Sequence, residues 1–161
     1  MEINARADFA APTGAVFTML TTEEYLRRVS AAAEATEAEE SVSGAVTRTR
    51  RALPAPEPLH AVTGRTVTVT QVIDWGAPDQ SGTHRGRIRI TVEGQPARME
   101  GTADLVPTPS GTTVRIRGDF EVKLPLFGRK VEQLCAPMIS DAIGVEQSVG
   151  TQWLAEHPEG R

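Results

Sequence analysis

Hydrophobic positions towards the end of the chain recur at alternating steps of three and four: Val131, Leu134, Cys135, Met138, Ala142, Val145, Val149 and Trp153. At about 100° per residue these fall on one face, which predicts a single amphipathic helix from Leu126 to about Leu154. Gln133, Ser140, Gly144, Gln147 and Thr151 take the opposite face. At ~1.5 Å per residue the helix is roughly 40 Å long, and its apolar stripe needs a cover of similar length. Pro137 falls on the outward side, where its missing N–H and its ring predict a kink that bends the helix towards that cover.

A second pattern, alternation at period two, predicts the cover. Ile3, Ala5, Ala7 and Phe9 alternate with Glu2, Asn4, Arg6 and Asp8 in a half-buried strand that Pro12 ends. Val16, Phe17, Met19 and Leu20 predict a short helix. A second follows with Thr21 or Thr22 as N-cap, Glu24 in its first turn and Tyr25, Leu26 and Val29 on its apolar face, running to about Ala33. Residues 36–53 read as a strand pair turning at Ser43-Gly44, with Arg48, Arg50 and Arg51 on the second arm, although the glutamate run from Glu34 to Glu40 suits a helix end equally well. Pro54, Pro56 and Pro58 exclude a central strand, so the segment to Gly64 is expected to be a loop or a single helical turn, able to act as a flap.

From Arg65 onwards the alternation is strongest. Val67, Val69, Gln71, Ile73 and Trp75 share one face of a strand, and His84, Gly86, Ile88, Ile90 and Val92 share one face of the next, opposite Arg85, Arg87 and Arg89. Two more strands carry Ala97, Met99, Gly101, Ala103 and Leu105, then Val114, Ile116, Gly118, Phe120, Val122 and Leu124, on their inward phase. Turns at Gly76-Ala77-Pro78-Asp79, Gly94-Gln95-Pro96 and Pro109-Ser110-Gly111 join the four strands into an antiparallel meander with one dry and one wet face. The whole reads as an α+β fold: a curved antiparallel sheet wrapped around one long C-terminal helix, with two short helices after the first strand.

Gly86, Gly101 and Gly118 fall on the inward phase at mid-strand, where a packed core places larger residues. Either the sheet bends sharply there or the missing side chains leave room for a guest, and the two can hold together. Only seven Phe, Trp and Tyr residues are available to fill the interior, which also favours a cavity. The expected lining is Val67, Val69, Gln71, Ile73, His84, Gly86, Ile88, Ile90, Met99, Gly101, Ile116, Gly118 and Phe120 from the strands, with Leu134, Cys135, Met138, Ala142 and Val145 from the helix. Gln71 and His84 are the polar groups of inward phase, placed to orient a carbonyl or hydroxyl on an otherwise greasy ligand.

Composition narrows the classes of function. At 161 residues the chain fits one domain over 1–161, with a loose tail from about 156. No apolar run approaches the ~18 residues of a membrane span and the N-terminus lacks the basic start and greasy core of a signal peptide, so a cytoplasmic protein with no integral membrane association is expected. Cys135 is the single cysteine and reads as a small hydrophobe on the helix stripe. No set of His, Cys, Asp or Glu has metal-ligand spacing, and no nucleophile-base pair, phosphate loop or dinucleotide fingerprint is present; neither metal, cofactor nor catalytic residue is predicted. The formal charge of −4 argues against nucleic acid, and Glu100, Asp104, Asp119 and Glu121 share the outer face with its arginines.

The segments DFAAPTGAVFTMLTTEEYL and LPLFGRKVEQLCAPMISDAIGVEQSVGTQWL, with the hairpin-rich stretch between them, resemble the START-like, polyketide-cyclase-like superfamily over essentially the whole chain. The turn DWGAP before an arginine-rich strand and the closing Trp-Leu are similar to an uncharacterised actinobacterial family within it. That resemblance implies a helix-grip fold with seven strands and a pocket between sheet and long helix for a lipid, sterol or polyketide-like molecule. Ala136-Pro137 departs from the usual pattern, and no cyclase-type catalytic motif is present to carry across.

The first expectation is therefore a non-enzymatic binder of a hydrophobic small molecule, a monomer or weak homodimer. The alternatives are a cyclase or dehydratase using His84 or Gln71 in the same cavity, and a protein-partner module with no open cavity.

Overall fold

The computed structural model of the chain describes residues 1–158. Its elements are β1 (Glu2–Phe9), α1 (Thr13–Leu20), α2 (Glu23–Ala32), β2 (Glu37–Ser43), β3 (Val46–Pro54), a 3-10 turn (Glu57–Leu59) running into the one-turn α3 (His60–Thr63), β4 (Thr66–Asp74), β5 (His84–Val92), β6 (Ala97–Thr108), β7 (Gly111–Val122) and α4 (Gly128–Glu156). The strands form one antiparallel sheet in the order β1-β7-β6-β5-β4-β3-β2. β1 and β2 thus lie at opposite edges, and α1 and α2 carry the chain across. The glutamate run resolves as strand, not helix: Glu39 pairs with Arg50 across the β2–β3 ladder, after α2 has ended and Glu34 has turned the chain at φ 61°.

Alternation decides which face is dry. His84, Gly86 and Ile88 are buried while Arg85, Arg87 and Arg89 are exposed, as the period-two pattern requires. On the wet face Arg89 lies 3.6 Å from Glu100 and Arg98 lies 3.8 Å from Glu121, interleaving the two signs of charge.

The three inward glycines make the sheet bend. A Cβ on Gly86 would come within 2.7 Å of the Ala103 carbonyl oxygen, and one on Gly118 within 2.7 Å of the Glu100 carbonyl oxygen. On Gly101 it would overlap the Arg117 carbonyl outright. The space released by the missing side chains is filled by neighbouring backbone, so these glycines serve curvature and leave no room for a guest.

The long helix is fastened at its two ends. At the start, Glu132 Oε2 accepts the Val122 N–H at 3.1 Å and the Gly128 N–H reaches the Leu124 carbonyl at 2.9 Å. At the far end Gly150, Trp153 and Leu154 are buried, with the Gly150 backbone so close to Phe9 and Met19 that a Cβ would collide with both. Tyr25 meets the Trp153 ring edge-on at 6.2 Å, and the core of Val16, Met19, Tyr25, Phe9 and Leu105 gathers under this end. The middle of α4 is only half buried. Its inward stripe is also wider than the sequence pattern predicts: Ile139 and Ile143 pack inwards beside Cys135. Pro137 is exposed, as expected, and the helix continues through it. The tail expected to be loose falls partly on residues 159–161, outside the described residues; His157 before them stacks on Trp153 at 4.0 Å.

Candidate functional site

Where α4 stands off the sheet, a cleft runs along the helix. Its outer lobe, about 160 Å³, lies beneath Val67, Val69, Ile90, Val92, Met99, Phe120 and Val122 of the sheet and beside Val131, Cys135, Met138 and Ile139 of the helix. The proline-rich segment supplies its lid: Pro56, Leu59, Val62 and Thr63 line the same lobe. Contrary to the expectation from sequence, Pro54 does not break the sheet but ends β3 paired with Thr66; Pro56 and Pro58 keep the residues after it out, so the segment folds back on itself, with the Ala55 N–H bonded to the Arg65 carbonyl at 2.9 Å and His60 Nε2 2.9 Å from the Ala55 carbonyl. Polar groups are nearly absent from the lining. Leu126 and Phe127, between the lining residues Leu124 and Val131, are exposed, and Leu126 holds a left-handed φ of 69°.

A second lobe of about 140 Å³ shares Val69, Ile90, Met138 and Ile139 with the first and continues inwards to Thr49, Arg51, Gln71, Ala142, Ile143 and Glu146. Arg51, Gln71 and Glu146 also border a small void of about 30 Å³, closed by Tyr25, Thr47 and Trp75. The cleft therefore grades from an apolar mouth to a polar inner end.

The inner end is built from sequence positions that the alternation places together. Thr47, Thr49 and Arg51 share the inward phase of β3 and all are buried. The Arg51 guanidinium donates through Nε to Ser30 Oγ at 2.7 Å and through Nη2 to the Leu26 carbonyl at 3.3 Å, which locks it against α2. Burial lowers its pKa from the ordinary value, opposed by the carboxylates of Glu146 and Glu40. Burial likewise raises the Glu146 carboxyl above its ordinary value, with Arg51 pulling the other way. The Tyr25 hydroxyl donates to the Glu146 carbonyl at 3.1 Å, and burial raises its pKa well above the usual value. Trp75 Nε1–H is buried with no hydrogen-bond partner among the described residues.

Of the residues expected from the sequence, Val67, Val69, Gln71, Ile73, Ile88, Ile90, Met99, Ile116, Phe120, Cys135, Met138 and Ala142 line this cleft or the inner void. His84, Gly86, Gly101, Gly118, Leu134 and Val145 do not. The His84 ring is stacked on Phe17 of α1 at 4.3 Å and its Nδ1 lies 3.1 Å from the Gly76 carbonyl, so it belongs to the packed end of the sheet. The glycines are blocked by neighbouring strands, Val145 packs against the hydrophobic core, and Leu134 is half-buried outside the lining. Sequence reasoning missed Arg51, Glu146, Ile139 and Ile143. The signal that marks Arg51 is its shared phase with Thr47 and Thr49. Burial raises the Cys135 thiol pKa, which disfavours the nucleophilic thiolate. Among the described residues no cluster of three or more His, Cys, Asp or Glu could hold a metal ion, and no helix is long and apolar enough to cross a membrane.

Residues 4–154 match the family described as "Protein of unknown function (DUF2505)". The chain is 28% identical over 85 residues to the uncharacterized protein Mb0491c of Mycobacterium bovis, a match that covers 52% of this chain and only 48% of that relative. Among solved structures it resembles TTHA0849 from Thermus thermophilus, with a TM-score of 0.65 and 22% identity over 93% of this chain and 97% of the other. It also resembles the di-domain ARO/CYC StfQ from the steffimycin biosynthetic pathway, with a TM-score of 0.65 and 13% identity over 98% of this chain and 52% of that one. Protein Ms6760 from Mycobacterium smegmatis superimposes with a TM-score of 0.62 and 12% identity over 97% and 92%. At these identities the likeness is one of fold alone.

Proposed function

The chain belongs to the DUF2505 family, and we propose that it is a binding protein whose cleft between the sheet and α4 holds a hydrophobic small molecule of lipid, sterol or polyketide-like character. The observation that carries this reading is the outer lobe: about 160 Å³ enclosed almost wholly by aliphatic and aromatic side chains and covered by a separate proline-rich lid. A lining of this kind gives roughly 25 cal/mol for each Å² of apolar guest surface it removes from water. The likeness to an ARO/CYC protein supports the reading, since the same fold there belongs to the steffimycin biosynthetic pathway. A monomer or weak homodimer suffices, because the cleft is complete within one chain.

Catalysis at His84 receives no support from the geometry, because that ring packs against Phe17 away from the cleft. The test of binding is native mass spectrometry of gently purified protein together with a thermal-shift panel of fatty acids, sterols and aromatic polyketides. Retained mass or a clear Tm rise with a hydrophobic class is the expected result. A bare mass and no shift across the panel would remove the binding reading.

A further inference from the structure

The geometry points to the inner end of the cleft as a subsite for the carboxylate of an acid-ended apolar guest, received by Trp75 Nε1–H and the Arg51 guanidinium. This rests on the binding reading above and names the chemical class of its ligand. Four observations carry it. Trp75 is 2% exposed and borders the small inner void, yet its indole N–H, a donor only, meets no acceptor among the described residues. The Nε1 atom itself is shut off from the void in this structure, so a turn of the ring is needed to bring it onto an incoming oxygen, and matching a costly unpaired buried donor favours that turn. Arg51 borders the same void, and its Nε and Nη2 are already occupied by Ser30 and Leu26, which fixes the guanidinium and leaves Nη1 for an incoming oxygen. Among the described residues no carboxylate lies within 4.0 Å of Arg51, although a buried cation ordinarily has one.

The fourth observation concerns Glu146, the acidic residue on α4 that borders this end. Its burial favours the neutral form, so it offers the arginine an incomplete counter-charge and can itself donate to an oxygen. The remaining walls, from Val69 to the lid, are apolar, so the guest enters tail outwards with its acid group innermost.

Isothermal titration at pH 8 with decanoate and with 1-decanol tests the assignment on the intact chain. Decanoate is expected to bind at least ~10-fold more tightly than the alcohol, as charge-assisted hydrogen bonds require. Trp75→Phe and Arg51→Met are expected to erase that preference, and Glu146→Gln to preserve it. In ¹H-¹⁵N spectra the indole resonance absent from Trp75→Phe should move with decanoate and stay with decanol. Should Arg51→Met fail to fold, judged by circular dichroism, Trp75→Phe and the indole shift decide the matter. Equal affinity for acid and alcohol with an unmoved indole would overturn the carboxylate subsite and leave a water as occupant of the void, with the binding reading intact. Absence of binding by both compounds would overturn the subsite, while the binding reading falls only with a blank across the whole panel above.

Discussion

Gly101 and Gly118 pair directly across the β6–β7 ladder, and a Cβ on Gly101 would collide with the Arg117 carbonyl and the Gly118 Cα. The two strands approach so closely here that neither can carry a side chain towards the concave face. Gly101→Ala forces the strands apart and flattens the bend. The expected cost is about 2 kcal/mol, within the range for overpacking, or roughly 4–8 °C in Tm for a chain of this length. Thermal melts of Gly101→Ala, with a surface control such as Arg87→Ala that leaves Tm unchanged, check it.

Filling the outer lobe should separate stability from binding. Cys135 borders that lobe and is half buried, so Cys135→Phe places a ring in space that is empty. The variant is expected to lose at least ~10-fold in affinity for a hydrophobic guest while Tm holds or rises, because added contacts fill a void without displacing neighbours. Titration and melting of the same preparation give both numbers.

Glu146 sets a pH dependence of known sign. Its carboxyl pKa is raised in the folded chain by burial, with Arg51 opposing and Tyr25 beside it. A carboxyl of this kind favours folding fully below its unfolded value of about 4.3, and that contribution is lost as pH rises through the folded value. Glu146→Gln mimics the protonated form and is expected to raise Tm at pH 7, with variant and parent converging below pH 4. A melt series across pH 3–8 reads the crossover.

Glu132 gives the opposite sign. The Val122 N–H and then the N-terminal amine hold its carboxyl below the ordinary value. Its contribution is therefore present above the unfolded value of about 4.3 and lost as pH falls through the folded one. Glu132→Gln should lower Tm modestly at pH 7 and match the parent below pH 3. Comparison with the Glu146→Gln series separates the two residues, since their curves diverge from the parent in opposite directions.

Leu126 is 97% exposed and adopts φ 69°, where a Cβ is strained. Leu126→Gly is expected to stabilise the chain by up to about 1 kcal/mol, read as a shift in denaturation midpoint at unchanged slope.

Much of this architecture is written in the period of the hydrophobic positions. β1 and the meander from β4 to β7 alternate in sequence, so these strands and the dry faces of β1 and β5 were legible, although β4 is half-buried on both sides, as were the two helices after β1 and the solvent side of α4 at Gln133, Ser140 and Gly144. The inner end of the cleft was not. Arg51 reads as one more surface arginine beside Arg48 and Arg50 unless its phase with Thr47 and Thr49 is weighed above its charge. Glu146 sits between Val145 and Gln147, and nothing in local pattern marks a carboxyl that lines the cleft. Ile139 and Ile143 fell outside the stripe because alternating steps of three and four define a narrow seam, whereas a concave sheet grips a broader face. Glycine on the inward phase was ambiguous between bend and hollow, and only the neighbouring strand's carbonyls decide between them.

The two fastenings of α4 leave a softer span between them. Pro137 lies in that span beside Met138 and Ile139, which border both lobes, and without an N–H it cannot bond the Gln133 carbonyl. The helix can thus bow outwards over the cleft while Glu132 at one end and Trp153 at the other stay seated, much as a plank flexes between fixed supports. Opening of the cleft along this span then needs only local breathing of the backbone, without loosening the packed end around Trp153.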